Sequence, residues 1–142
     1  MFGLFKKKET FAPLSIDMHC HLLPGVDDGS SNVEETVKCL KAMASVGYKK
    51  VYFTPHFQAR YPNTEDDIKK RFNILKKAII DSGENGLPEI GGISGEYRFD
   101  PLFARMPGVD NVITLPGKKL LCEFSLHNND YMPIDIFSNY KA

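Results

Sequence analysis

A chain of 142 residues is the size of one ordinary domain, and 42% hydrophobic residues against 25% charged is the balance of a folded protein rather than a disordered one. Eighteen basic residues offset eighteen acidic ones, so the composition gives no support to a broad nucleic-acid surface or to an acidic polymer as partner. The three cysteines, Cys20, Cys39 and Cys122, form no C-x-x-C pair, and an odd number at wide spacing makes no disulfide framework.

At the N-terminus, Met1-Phe2-Gly3-Leu4-Phe5 precedes Lys6-Lys7-Lys8, the wrong order for a secretory signal, and no apolar core follows. Residues 1–14 therefore read as a tail with no stable membrane insertion, ahead of one domain over 15–142, and the expected location is cytoplasmic.

Residues Ser15 to Cys20 predict a first strand. Ser31-Asn32-Val33-Glu34 has the form of a capping box opening a helix whose apolar face is Val33, Val37, Leu40, Met43 and Ala44, with Gly47 as its stop. Lys50-Val51-Tyr52-Phe53-Thr54 predicts a second strand running against Pro55 into His56. Thr64 then caps a second helix with the stripe Ile68, Phe72, Leu75 and Ile79, ending near Gly83. Glu89 to Ser94 predicts a third strand entering Gly95-Glu96, although Gly91 and Gly92 weaken its regularity. Val112-Ile113-Thr114, the turn at Pro116-Gly117, and Lys119 to Cys122 before Glu123 predict a short hairpin or a pair of strands.

Alternating strands and helices specify an α/β fold with a parallel sheet, open or closed as a barrel. In such folds the chemistry gathers at the carboxyl ends of the strands. Here the predicted strands end in His19/His21, His56, Glu96 and Glu123. The histidines at i and i+2 share one side of an extended strand and can either pack as polar residues or grip one ion; the later strand-end ligands favour the ion. P-loop, G-x-G-x-x-G and G-x-S-x-G motifs are absent from the sequence.

The run Asp17-Met18-His19-Cys20-His21-Leu22-Leu23-Pro24-Gly25-Val26-Asp27-Asp28-Gly29-Ser30, with Thr54-Pro55-His56, Gly95-Glu96-Tyr97 and Glu123-Phe124 downstream, resembles the polymerase and histidinol phosphatase (PHP) domains. Within them it is most similar to the bacterial manganese-dependent protein-tyrosine phosphatases of capsule and exopolysaccharide synthesis. The resemblance implies a distorted seven-stranded (β/α) barrel with a cluster of up to three divalent metals, Mn2+ first and Fe or Zn as alternatives. It implies His19, His21, Asp28, His56, Glu96 and Glu123 as metal ligands, and a phosphotyrosine protein as substrate, with a bacterial tyrosine kinase as partner. On the resemblance Asp17 orients an imidazole and Asp27 has only a turn-forming role.

The family's later motifs, a further histidine and an Asp-x-His, have no counterpart after Glu123; His127 and Asn128-Asn129-Asp130 do not supply them. The expectation is a partial (β/α) barrel of the PHP type lacking the last strands, from a truncated product or one completed by homo-oligomerisation.

Mixed imidazole and carboxylate ligands suit Mn, Zn or Fe better than Mg or Ca. Hydroxide generated from a metal-held water attacks phosphorus in line, so no cysteine nucleophile is required. Asp28, His56, Arg60 and Arg98 are the catalytic candidates, the arginines as cations for phosphate. Two rivals stand beside this reading: an amidohydrolase, which also carries His-x-His on an opening barrel strand, and a catalytically incomplete PHP fragment that binds metal or a partner.

Overall fold

The computed structural model describes residues 14–99, 103 and 112–124, so the basic tail and His127 lie outside the described residues. The described elements are, in chain order, β1 (Ile16–Cys20), α1 (Val33–Ser45), β2 (Lys50–Phe53), β3 (His56–Phe57), α2 (Glu65–Asp81), β4 (Glu89–Ile93), β5 (Glu96–Arg98) and β6 (Leu121–Glu123). One sheet has the order β1-β2-β4 and a second the order β3-β5-β6, with every pairing parallel. The chain is thus a mixed α/β protein, as the alternation of apolar patterns requires.

The two sheets are made from strand runs that break and resume. β2 passes into β3 across Thr54-Pro55, and β4 into β5 across Ser94-Gly95. Pro55 has no N–H to donate, so a continuous ladder is interrupted there. At Gly95 an added Cβ would lie 2.6 Å from the Tyr97 ring and 2.7 Å from the Phe57 ring, so a side chain has no room. Hydrogen bonds carry across both breaks: the N–H groups of Thr54, Ser94 and Glu96 donate to the carbonyls of Cys20, Phe53 and Pro55 at 2.9, 2.8 and 2.9 Å. The consequence is a change from the expected placement. His56 and Glu96 do not end strands; they open β3 and β5, side by side as register partners.

The helices follow their predicted stripes with one correction. α1 starts one residue later than the capping box predicts: Asn32 is the N-cap, accepting from the Glu35 N–H at 2.9 Å, and Glu35 in turn accepts from the backbone N–H and hydroxyl of Ser31. Asn in place of Ser at the cap satisfies the same orphan donor. Thr64 caps α2 as expected, and Ile68, Phe72 and Leu75 are its buried face. With Leu23, Leu40, Val51 and Phe53 they form the core, each large side chain contributing about 1.5–3 kcal/mol by leaving water.

The expected hairpin is reduced to an antiparallel bridge between Leu115 and Lys119 around Pro116-Gly117, after which β6 starts at Leu121 and pairs with β5. The Ile113 N–H donates to the Tyr97 hydroxyl at 2.7 Å, which fastens this segment to β5. Among the described residues no helix is long and apolar enough to cross a membrane.

Candidate metal centre

After β1 the chain turns back on itself through Pro24-Gly25. The Gly25 N–H donates to the Ser30 carbonyl at 2.8 Å, and the Ser30 N–H to the His21 carbonyl at 2.9 Å. Gly29 sits so close to His21 that a Cβ there would be 1.9 Å from the His21 carbonyl oxygen. The buried Thr36 hydroxyl holds the loop to α1 through the Leu22 carbonyl and the Ser30 hydroxyl, at 2.9 and 2.7 Å. A polar residue at the centre of the helix's inner face breaks the apolar pattern, which is why periodicity alone passes over it.

This folding brings three imidazoles and three carboxylates together from five separate stretches. Glu96, buried at the head of β5, is the hub. Its Oε1 is 3.0 Å from His19 Nε2, and its Oε2 is 3.2 Å from His21 Nε2 and 3.1 Å from His56 Nδ1. His56 Nε2 faces Asp28 Oδ1 at 3.5 Å, and His56 Nδ1 faces Glu123 Oε2 at 3.8 Å. The ligand atoms fall into three overlapping sets, His19/His21/Glu96, His21/Asp28/His56 and His56/Glu96/Glu123, each within 4.8 Å. All six expected ligands are therefore neighbours.

Asp27 does more than form the turn. Its Oδ1 accepts from the Gly29 N–H at 3.0 Å, and its fully buried Oδ2 accepts from His21 Nδ1 at 2.9 Å and from the His56 N–H at 3.0 Å. Hydrogen bonding to Asp27 raises the His21 pKa above its usual value against the opposing effect of burial. For Asp27 itself burial pushes upward, but the bonds from His21, His56 and Gly29 outweigh it and hold the carboxyl below the usual range. With its Nδ1 proton committed to Asp27, a neutral His21 turns a bare Nε2 toward Glu96 and His19.

The arrangement fits a divalent cation on its own chemistry. His56 Nδ1 and Glu123 Oε2 are buried without a hydrogen-bond partner among the described residues, which is costly for polar atoms unless something binds them. Glu96 Oε2 is near that nitrogen without the geometry of a hydrogen bond. Two nitrogens, His19 Nε2 and His21 Nε2, approach to 3.3 Å. Donors each about 2.1 Å from one ion at right or tetrahedral angles lie about 3.0–3.4 Å apart, the spacing seen here.

The other candidates are distributed around this cluster. Arg98 Nη1 lies 3.5 Å from Glu123 Oε1 and 3.4 Å from Gln58 Oε1, at the cluster's margin. Arg60 stands over the Tyr61 ring, 5.4 Å from its centroid. Asp17 accepts from the His19 backbone N–H at 3.0 Å and so orients the main chain, not an imidazole as expected. Cys20 donates its thiol proton to the Tyr52 carbonyl, and burial first, then Asp17, pushes its pKa up to about 12. Sequence reasoning missed two further neighbours of His56. Asn63 Nδ2 donates to the His56 and Val26 carbonyls at 2.8 and 3.0 Å, and Tyr61 stacks on the imidazole. Their signal was present in Tyr61-Pro62-Asn63, a turn placed shortly after the candidate ligand His56.

Comparison with known proteins gives the family and the fold. The family model described as capsular polysaccharide synthesis, CpsB/CapC, matches residues 15–100, more than half of the chain. The chain is 30% identical over 66 residues to the tyrosine-protein phosphatase YwqE of Bacillus subtilis, a match covering 46% of this chain and 26% of that protein. It is 36% identical over 62 residues to CapC of Staphylococcus aureus, covering 43% of this chain and 24% of the other. Among solved structures it is similar, with a TM-score of 0.68 and 22% identity, to a chain from the crystal structures of YwqE from Bacillus subtilis and CpsB from Streptococcus pneumoniae, described as unique metal-dependent tyrosine phosphatases. That match covers 88% of this chain and 52% of the solved one, so the chain spans about half the length of that relative.

Proposed function

Because the chain belongs to the CpsB/CapC family of capsular polysaccharide synthesis, we propose that it is a metal-dependent phosphoester hydrolase, a protein-tyrosine phosphatase of the PHP type, and that residues 15–142 are the N-terminal part of such a barrel. The observation that carries the reading is the convergence of His19, His21, Asp28, His56, Glu96 and Glu123 in three overlapping ligand sets. Those six residues would hold the cations; their mixed nitrogen and oxygen donors suit Mn, Fe or Zn, and the resemblance to manganese-dependent phosphatases puts Mn2+ first. Bound cations supply Lewis acidity, which lowers the pKa of water from about 15.7 toward 7 and neutralises phosphoryl charge.

The chain's own residues account for the remaining chemistry. His19, His21 and Glu96 make one wall, with Glu96 buried and His21 oriented by Asp27. Asp28 stands at the open side beside His56; with its Oδ1 and His56 Nε2 turned to the cation, the second Asp28 carboxylate oxygen takes the proton that water releases as it attacks phosphorus. Arg98 beside Glu123, and Arg60 on the following turn, supply cations for the phosphoryl oxygens. As the new P–O bond forms, the aryl P–O bond breaks and a phenolate leaves; its conjugate acid has a pKa near ~10, so departure demands little protonation. The products are a tyrosine side chain and inorganic phosphate. On this reading the substrate is a phosphotyrosine protein, a bacterial tyrosine kinase is a candidate partner, and the setting is cytoplasmic.

The test is hydrolysis of p-nitrophenyl phosphate by the chain, stimulated by Mn2+ and abolished by a chelator. Activity confined to cyclic amides would replace the phosphatase with an amidohydrolase. A second reading, metal binding without turnover in a chain that completes its site by self-association, is favoured by the openness of the cluster: the His19 and Asp28 side chains are 51% and 59% exposed. Metal uptake with no turnover in a demonstrated monomer supports that second reading.

A further inference from the structure

His56, like His21, turns its two ring nitrogens toward different carboxylates, and on both sides the His56 partners are themselves candidate ligands. Nε2 looks toward Asp28, and Nδ1 toward Glu96 and Glu123. It therefore belongs to two of the three ligand sets, and a rotation of the ring about χ2 would move both nitrogens out of reach at once. Its backbone is tied firmly, by its N–H to Asp27 and by its carbonyl to Asn63. Neither bond fixes the plane of the ring. The χ2 torsion of histidine is broad, so a plane held without contacts would wander.

Two rings meet the His56 imidazole: the His21 ring leans on it with 4.4 Å between centroids and 44° between planes, and the nearly parallel contact comes from the next turn. Gln58 and Tyr61 pair through both backbone groups, the Gln58 N–H to the Tyr61 carbonyl at 3.3 Å and the Tyr61 N–H to the Gln58 carbonyl at 2.9 Å. This folds the chain back so that the Tyr61 ring lies nearly parallel to the His56 imidazole, with 8° between planes and 5.6 Å between centroids. Arg60 stands over the Tyr61 ring and holds it in turn.

We infer that Tyr61 is a positioning residue for His56: its ring sets the imidazole plane so that both nitrogens stay aligned with the two carboxylate groups they serve. The inference rests on the metal-binding reading of the cluster. Planarity is what the role needs, so Phe can replace Tyr and an aliphatic side chain of similar bulk cannot.

The experiment titrates the complete chain with Mn2+ and compares wild type with Tyr61→Phe and Tyr61→Leu, while thermal unfolding of the metal-free proteins reports stability separately. Tyr61→Phe keeps wild-type affinity, and Tyr61→Leu weakens it about 10–100-fold, the usual effect of losing a residue that orients a ligand. A folded Tyr61→Leu with wild-type affinity overturns the role of Tyr61. A wild-type chain that binds no Mn2+ is a different result, which overturns the metal reading itself. A second measurement needs no metal and no variant: in the metal-free wild type the His56 ring protons are displaced upfield by the Tyr61 ring current. Their resonance at the positions of an unstacked histidine overturns the inference even where Tyr61→Leu does not fold.

Discussion

Asp27 Oδ2 and His21 Nδ1 are joined at 2.9 Å, and the same carboxylate oxygen takes the backbone N–H of His56, 29 residues further along the chain. One buried carboxylate thus fixes the tautomer of one candidate ligand and the backbone of another. Asp27→Asn keeps the shape and loses the charge, so Mn2+ affinity falls about 10–100-fold. Isothermal titration of the two proteins measures it.

The same pair sets a pH window for the metal-free chain. Asp27 has a depressed pKa when folded, so its stabilisation is present above its unfolded value near 3.8 and is lost as pH falls through the lower folded value. His21 has an elevated pKa, so its contribution is full below about 6.5 and is lost as pH rises through the higher folded value. Urea denaturation across the pH range should therefore show this contribution at full strength between those two unfolded values. Asp27→Asn flattens both flanks, and a variant with wild-type pH dependence would contradict the assignment.

Glu96 meets all three histidines and is buried, whereas Asp28 belongs to one ligand set, with His21 and His56, and reaches it from the surface. Loss of a shared ligand removes donors from two of the three sets at once. Elemental analysis of purified variants should show Glu96→Gln nearly devoid of metal, His19→Ala with His21→Ala strongly depleted, and Asp28→Asn retaining most of it. Equal depletion in Asp28→Asn and Glu96→Gln would remove Glu96 from its central place.

Much of this arrangement was legible in the sequence because it is local. The stripe Ile68, Phe72 and Leu75, the Thr64 cap and the β-rich run before Pro55 follow from spacing and residue type, and each is where those patterns put it. Five of the six ligand candidates came from their positions at the edges of those runs, and Asp28 from the family resemblance alone. What was not legible depends on contacts across the chain. The chain resumes pairing beyond the two expected strands, as β3 after Thr54-Pro55 and β5 after Ser94-Gly95, where the rings of Phe57 and Tyr97 pack against Gly95. Asp27 looked like turn chemistry because its partner His56 is remote in sequence. Asn63 is 37 residues from the Val26 carbonyl it binds. Periodicity carries no information about such pairs.

Two glycines separate packing from backbone strain. At Gly29 a methyl group would collide with the His21 backbone, so Gly29→Ala must push the loop away from the ligand it supports. The expected cost is about 1–3 kcal/mol of stability, with weakened metal binding. Gly83, after α2, has open space around it but a φ of +66°, so Gly83→Ala costs about 1–2 kcal/mol through conformation alone and leaves metal binding unchanged. Thermal unfolding with and without Mn2+ distinguishes them: the Mn2+-induced rise in Tm shrinks in the first variant and persists in the second.

The thiols provide a last check on the chemistry. Burial raises the pKa of Cys20 to about 12 and that of Cys122 to about 11, in each case as the largest influence, with nearby carboxylates adding to it. Only a thiolate attacks, so at neutral pH both are inert, and neither is suited to nucleophilic phosphate transfer. Iodoacetamide at pH 7.5 should leave Cys20 and Cys122 unlabelled by mass spectrometry on the timescale that alkylates free cysteine, with labelling accelerating only as pH climbs toward 11 or 12. Mn2+-stimulated hydrolysis of p-nitrophenyl phosphate should survive both this treatment and Cys20→Ala. Rapid inactivation that tracks modification of Cys20 would mean that a cysteine, rather than activated water, makes the bond to phosphorus.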